Sequence, residues 1–154
     1  MTFTSVNTKL IATSIQNVYK AFTDKEILEY WLSPNCMEGK IHQFELKEGG
    51  GYDMSLYYTN SKHDGKTTEH EDRFTVTFEE LKPYSKIRQT IRFQTNKGEF
   101  KKDMTMDITI EPFETNSAKV TILFTDIPIG IDPRDNEEGT NQSLEKLAAY
   151  FKNH

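Results

Sequence analysis

Few residues in this chain have the type and spacing that chemistry needs. Cys36 is the only cysteine, so no intrachain disulfide forms. It follows the C-terminal end of an expected helix, where the dipole disfavours a thiolate, so it reads as unreactive. The histidines are His42, His63, His70 and His154. His63-Asp64 and the run Glu69 to Asp72 contain metal-ligating types. No Cys-x-x-Cys or His-Glu-x-x-His spacing accompanies them, so a solvated charge cluster is expected and no metal. His42 shares strand parity with Phe44 and Leu46, which aims it inward, where an imidazole titrates near neutral pH. The triple glycine Gly49-Gly50-Gly51 lacks the lysine and helix that a phosphate cradle uses. No nucleophile elbow, P-loop or dinucleotide fingerprint occurs. The pairs Glu79-Glu80 and Glu137-Glu138 are adjacent in sequence, so their carboxylates diverge and read as surface charge. No catalytic residue is assigned and no cofactor is expected.

Two polar residues interrupt apolar faces. Gln89 breaks the stripe Ile87, Ile91, Phe93. A buried amide without partners costs on the order of 1–3 kcal/mol, so Gln89 must reach a water, the backbone or a ligand. Asp72 extends the face of Phe74 and Val76. Its place near a strand end predicts solvent exposure.

These residues sit on elements that the hydropathy pattern outlines. Val6 to Ala12 alternates as a strand. Ser14 is an N-cap, and Ile15, Val18, Tyr19 and Phe22 fall on one face of a helix. Thr23 to Glu26 reads as a capping box that starts a second helix, Asp24 to Leu32, with Ile27, Tyr30 and Trp31 on one side and Pro34 as its stop. The period then becomes two. Tyr52, Met54, Leu56 and Tyr58 share a face, as do Phe74, Val76 and Phe78, then Ile87, Gln89, Ile91 and Phe93. Met104, Met106, Ile108 and Ile110 alternate with polar residues, and Val120, Ile122 and Phe124 form the last inner face. Asp64-Gly65, Pro83-Tyr84-Ser85, Asn96-Lys97-Gly98 and Asn116-Ser117 mark turns, so the strands form an antiparallel meander with one wet face. Leu144, Leu147, Ala148 and Phe151 make one stripe of a final helix that starts either at Asp132-Pro133 or near Glu137.

The chain has 154 residues, the size of one domain, 1–154. Its net charge of −5 argues against a nucleic-acid or anionic-membrane binder. Hydrophobic residues make up only 35%, but 12% aromatics, spread along the chain, argue against disorder. No run approaches the ~20 apolar residues of a membrane span. Met1 to Leu10 lacks the basic-then-apolar pattern of a secretory leader, so none is expected, and a cytoplasmic location is. The economical architecture is α+β, a curved antiparallel sheet wrapped around a long C-terminal helix, with two short helices after the first strand.

That order resembles the START-like, helix-grip superfamily, also called SRPBCC. Within it the chain is most similar to the group named after the activator of the ninety-kilodalton heat-shock protein's ATPase. Four segments carry the resemblance: VYKAFTDKEILEYWLSP at 18–34, FELKEGGGYDM at 44–54, FEELKPYSKIRQTIRF at 78–93 and EEGTNQSLEKLAAYF at 137–151. The family usually has tryptophan after the glycine of the last segment, where this chain has Thr140. The missing aromatic implies either a larger pocket or weaker docking of the helix. The polar hairpin at 59–72 is longer than usual for the family.

The resemblance implies a cavity between sheet and final helix. Its expected lining is Trp31, Phe44, Met54, Leu56, Phe74, Val76, Gln89, Ile91, Phe93, Met104, Met106, Ile108, Phe124, Leu144 and Leu147. Methionine is flexible and polarisable, which suits a pocket for varied apolar ligands, although most of these residues must simply pack the core. Three functions stay open. The first is non-enzymatic binding of a small hydrophobic molecule such as a lipid or polyketide, with Gln89 as polar anchor. The second is a co-chaperone-like interaction with a chaperone, in a stress response. It ranks lower, because the eukaryotic activator carries a further N-terminal domain for which this chain has no room. The third is a cyclase- or hydrolase-like enzyme using Gln89, His42 and Tyr58. Relatives often dimerise, so either monomer or homodimer is compatible.

Overall fold

The computed structural model describes residues 3–59 and 71–153. The chain runs β1 (Ser5–Ile11), α1 (Ile15–Thr23), α2 (Lys25–Trp31), β2 (Met37–Glu45), β3 (Gly51–Tyr58), β4 (Glu71–Lys82), β5 (Lys86–Phe93), a 3₁₀ turn (Gly98–Phe100), β6 (Met104–Phe113), β7 (Ser117–Thr125) and α3 (Pro133–Asn153). The sheet order is β1-β7-β6-β5-β4-β3-β2, antiparallel throughout. Strands β2 to β7 are the expected meander. β1 and β2 lie at opposite edges, because the two helices carry the chain across between them. The result is a curled seven-stranded sheet with α3, the helix-grip arrangement of the START-like superfamily.

The helix pair forms for local reasons. Ser14 caps α1 by accepting from the Asn17 N–H. At α2 the cap is Asp24, not Thr23: its carboxylate accepts from the Glu26 and Ile27 N–H groups. Thr23 instead donates its hydroxyl to the Tyr19 carbonyl at 2.9 Å, so the expected capping box does not form. Asp24 is a charged acceptor one residue nearer the helix, and it satisfies two end N–H groups at once. α2 turns Leu28 and Trp31 inward with Ile27 packed against the core, while Tyr30, expected on the same side as Ile27 and Trp31, is 59% exposed. The indole N–H of Trp31 donates to the Ala21 carbonyl at 2.9 Å, and Phe22 packs edge-on at 4.8 Å, so Trp31 locks α2 onto α1.

Most strand faces follow the period-two reading. Tyr52 and Met54, Phe74 through Phe78, Ile87 through Ile91, Met104 through Ile110 and Val120 through Phe124 all bury their apolar parity. β2 departs from it. The register shifts between Ile41 and Gln43, so one extra residue opposes β3 there. Ile41 is buried, and His42, at the bulge, lies outside on the convex face, contrary to its expected inward aim. A bulge reverses parity within one residue. Gly51 is required where β3 begins: its φ is +157°, and a Cβ would stand 1.7 Å from the Val76 carbonyl oxygen. No side chain fits between two paired strands at that distance.

α3 begins at the earlier of the two expected starts. Asp132 Oδ1 accepts from the Arg134 N–H at 2.9 Å, and its carbonyl accepts from the Asn136 N–H at 3.1 Å. Polar contacts tie the helix down along its length. Asn136 Nδ2 donates to Ser5 Oγ at 2.9 Å and Asn7 Nδ2 to the Glu137 carbonyl at 2.9 Å. Ser143 Oγ donates to the Leu32 carbonyl at 2.7 Å, and Lys146 Nζ to the Ser33 carbonyl at 3.1 Å. These contacts hold α3 in place with threonine at position 140.

Candidate functional site: a cavity under the last helix

Between the concave sheet face and the first half of α3 lies a cavity of about 420 Å³. That is within the usual range for small-molecule pockets. Nine residues of the lining that the resemblance implies stand on its wall. Trp31 comes from α2, Leu56 from β3 and Phe74 from β4. Gln89, Ile91 and Phe93 come from β5, Met104 and Met106 from β6, and Phe124 from β7. Six others, Phe44, Met54, Val76, Ile108, Leu144 and Leu147, do not reach it and pack in or against the core. They pack among buried side chains of the core, so no space remains in front of them.

The first half of α3 leaves the space open. It faces the cavity with Asp135, Asn136, Gly139, Thr140 and Ser143, all short side chains. Thr140 stands on the wall itself, its hydroxyl spent on the Asn136 carbonyl at 2.8 Å. The family's tryptophan at this point would project from the wall. The mouth is completed by Phe100 of the 3₁₀ turn and by Gly130 and Ile131 before α3. Gly130 N–H donates to the Glu99 carbonyl at 2.8 Å, and a Cβ on it would stand 2.7 Å from the Phe100 ring, so only glycine lets these two loops meet so closely.

On the sheet side of the cavity the polar groups sit deep. Gln89, buried on its strand, donates from Nε2 to the Met106 sulfur at 3.3 Å, a weak acceptor for a buried amide. It also bonds the Tyr52 hydroxyl, whose phenol burial pushes far above its ordinary pKa. Asp72 is 1% exposed, contrary to the expected solvent-facing strand end. It pairs with Leu56 across the sheet, two residues into a 12-residue strand. The strand is still paired at that point, so parity governs. The Tyr58 hydroxyl donates to Asp72 at 2.8 Å. Burial, and then the Asp72 charge, raise the Tyr58 pKa, so this phenol stays a neutral donor.

Sequence reasoning missed Tyr52 as a wall residue, and the polar start of α3. The signal for Tyr52 was present, since it shares parity with Met54 and Leu56. Sequence also missed what His42 does. Its Nε2 lies 2.9 Å from Ser55 Oγ, which donates in turn to Glu71. Ser55 is fully buried beneath these neighbours, and the group stands on the convex face, away from the cavity. Histidine therefore supplies no acid–base group to the cavity from position 42. Cys36 is exposed in the loop after α2. The expected cluster around His63 and His70, and the Asp64-Gly65 turn, lie outside the described residues.

Comparison with known proteins agrees with this architecture. A protein of Chromobacterium violaceum of known structure is 29% identical, with a TM-score of 0.85 over 96% of this chain and 95% of that one. A protein of Arthrobacter aurescens matches at 15% identity and a TM-score of 0.81, over 98% and 87% of the two chains. One from Rhodobacter sphaeroides matches at 11% identity and 0.75, over 98% and 93%. The last two show the fold alone. No curated protein matches the chain. The family model described as activator of Hsp90 ATPase homolog 1-like protein matches residues 12–152, and the chain belongs to that family.

Proposed function

We propose that the protein binds a small, mostly apolar molecule in the cavity under α3 and acts as a carrier or sensor of that molecule rather than as an enzyme. One observation carries the reading: a space of about 420 Å³ is held open beneath α3 by short helix side chains, while its sheet wall is methionine and aromatic. An evolved core closes such a space, because each buried void forfeits packing. Gln89 anchors the polar part of the ligand. Among the described residues its amide N–H groups meet a sulfur and a phenol, so a ligand carbonyl or hydroxyl displaces the weaker partner. The enzymatic alternative is weaker. It relied on His42, which is on the other face of the sheet, and it retains only Tyr58, held as a neutral donor, and Gln89.

Native mass spectrometry of protein purified from cells tests the proposal. A bound apolar species, or a thermal shift with members of a lipid and polyketide panel, is expected. A crystal structure with the cavity filled by side chains, together with no shift from the panel, refutes it. The family description favours one second reading, an interaction with a chaperone. Stimulation of the cognate chaperone's ATPase by the pure protein distinguishes it.

A further inference from the structure

The two edges of the sheet are built differently. β2, at one edge, is blunted. Its register shifts between Ile41 and Gln43, its Ile41 N–H donates to Glu29 of α2 at 2.7 Å, and its exposed residues include Glu38, Lys40 and His42. Bulges, charges and a covering helix are the means by which proteins stop edge-to-edge pairing. β1, at the other edge, pairs with β7 in unbroken register over seven residues and contains neither proline nor glycine. Alternate residues turn their N–H and C=O groups away from β7, and among the described residues no further strand takes them up. On the convex face Val6 is 54% and Leu10 48% exposed, with Leu123 of β7 beside Val6 at 38%. The one charge on β1 is Lys9, on the same parity as Asn7.

We propose that β1 pairs with β1 of a second copy of this chain, antiparallel and centred on Thr8, which joins two sheets into one. This is independent of what the cavity binds. A two-fold axis at Thr8 sets Val6 opposite Leu10 of the second copy and Leu10 opposite its Val6, so each exposed apolar side chain covers the other. On the inner face the same register sets Asn7 opposite Lys9 of the second copy. Asn7 Nδ2 donates to the Glu137 carbonyl at 2.9 Å, so Asn7 stands beside the first turns of α3. A groove there is lined by Asn7, Glu137, Glu138 and Asn141, with Arg134 held by Asp132 at 3.4 Å. Lys9, Glu137 and Glu138 have no ion-pair partner among the described residues. Pairing brings the Lys9 ammonium of each copy to the acidic groove of the other, so the charge contact is made twice. The neighbouring registers are poorer. A centre at Lys9 sets two lysines face to face, and a centre at Asn7 sets Val6 against Thr8.

The test is the oligomeric state of the full chain, measured by analytical ultracentrifugation over a range of concentrations. A dimer is expected. Val6→Lys should raise its Kd roughly tenfold or more, because one substitution alters two symmetric cross-strand pairs. Adding Leu10→Glu to Val6→Lys sets opposite charges across both pairs and should restore the dimer. Adding Leu10→Lys instead sets like charges there and should not. Both positions are exposed, and circular dichroism checks that each variant folds. Thr8→Cys in a Cys36→Ser background gives a second readout that needs no weakened edge. Facing Cα atoms of antiparallel strands lie about 4.5–5.5 Å apart, so oxidation should link two copies through position 8. Lys40→Cys on β2, in the same background, should not link. A natural chain that stays monomeric at every concentration overturns the inference, even if a strand of another protein occupies the edge instead. A dimer that Val6→Lys leaves unchanged overturns it, as does a Val6→Lys monomer that Leu10→Glu fails to rescue. Absence of a position-8 link in a dimeric chain overturns the register and the inference with it.

Discussion

Met54 and Met104 are the same residue type on the same concave face, and they make opposite predictions. Met54 is fully buried, away from the cavity. Its terminal methyl lies where a side chain on Gly39 would be, since a Cβ there would stand 2.6 Å from Met54 Cε. Met104 is 3% exposed and stands on the cavity wall. Truncation to alanine removes a similar apolar group from both, a transfer loss of about 2 kcal/mol. The void terms differ. At Met54 the space is closed, and Gly39 has no side chain to move into it. If about 60 Å³ stays empty, the added cost is about 1.4 kcal/mol. At Met104 the new space merges with a cavity that opens at a mouth, so few contacts are lost beyond the transfer loss. Met54→Ala should therefore cost about 3.5 kcal/mol and Met104→Ala about 2 kcal/mol. Urea unfolding of both variants at unchanged m-value measures the difference directly. Equal costs, or a larger cost at Met104, would mean that the space beneath α3 is closed in solution, and the reasoning would fail.

Other expectations bear on the elements that hold the cavity. Asp24→Ala should lose about 1 kcal/mol through its cap, and Thr23→Ala clearly less; thermal unfolding of the two ranks them, and the reverse order would restore a capping box. Gly51→Ala should severely destabilise the protein, because its Cβ meets the Val76 carbonyl oxygen at 1.7 Å; circular dichroism and expression level measure this, and a native melting curve would contradict the geometry. Asp53 accepts two bonds from Arg73, at 3.2 and 2.7 Å, and those bonds hold its carboxyl below the usual range. Its folded pKa is depressed, so this stabilisation is present above the unfolded value of about 3.9 and is lost as pH falls through the folded value. The stability gap between the natural protein and Arg73→Met should accordingly narrow below about pH 4, read as urea midpoints across the acid range; a constant gap would exclude this linkage.

The strand faces were legible because their cause is local: alternation follows from the pleat, and a buried face needs it. β6 shows this, with Met104, Met106, Ile108 and Ile110 all inward. His42 escaped because a bulge is set by how β2 must bend across β3, and Ile41-His42-Gln43 has no glycine to announce it. The visible glycines, a few residues later, serve the turn into β3 instead. Asp72 escaped for a different reason. Parity had already placed it inward, and a rule about strand ends overrode parity, although a long strand pairs firmly up to its second residue.

The boundary between packed core and open cavity is harder, because parity says which way a side chain points and not what meets it. Six expected wall residues are core for that reason. α1 and α2 meet part of the sheet, and α3 covers the cavity, where its inward stripe changes character along its length. Asn136, Gly139, Thr140 and Ser143 fall at i, i+3, i+4 and i+7, and all are small or short. Leu144, Leu147, Ala148 and Phe151 repeat the same spacing with mostly bulky side chains. A helix packed over a sheet fills the gap where its residues are large and leaves it hollow where they are small. The place of the cavity is thus written in the sequence as the point where this stripe changes size, and a large residue at Thr140 moves that point toward the mouth.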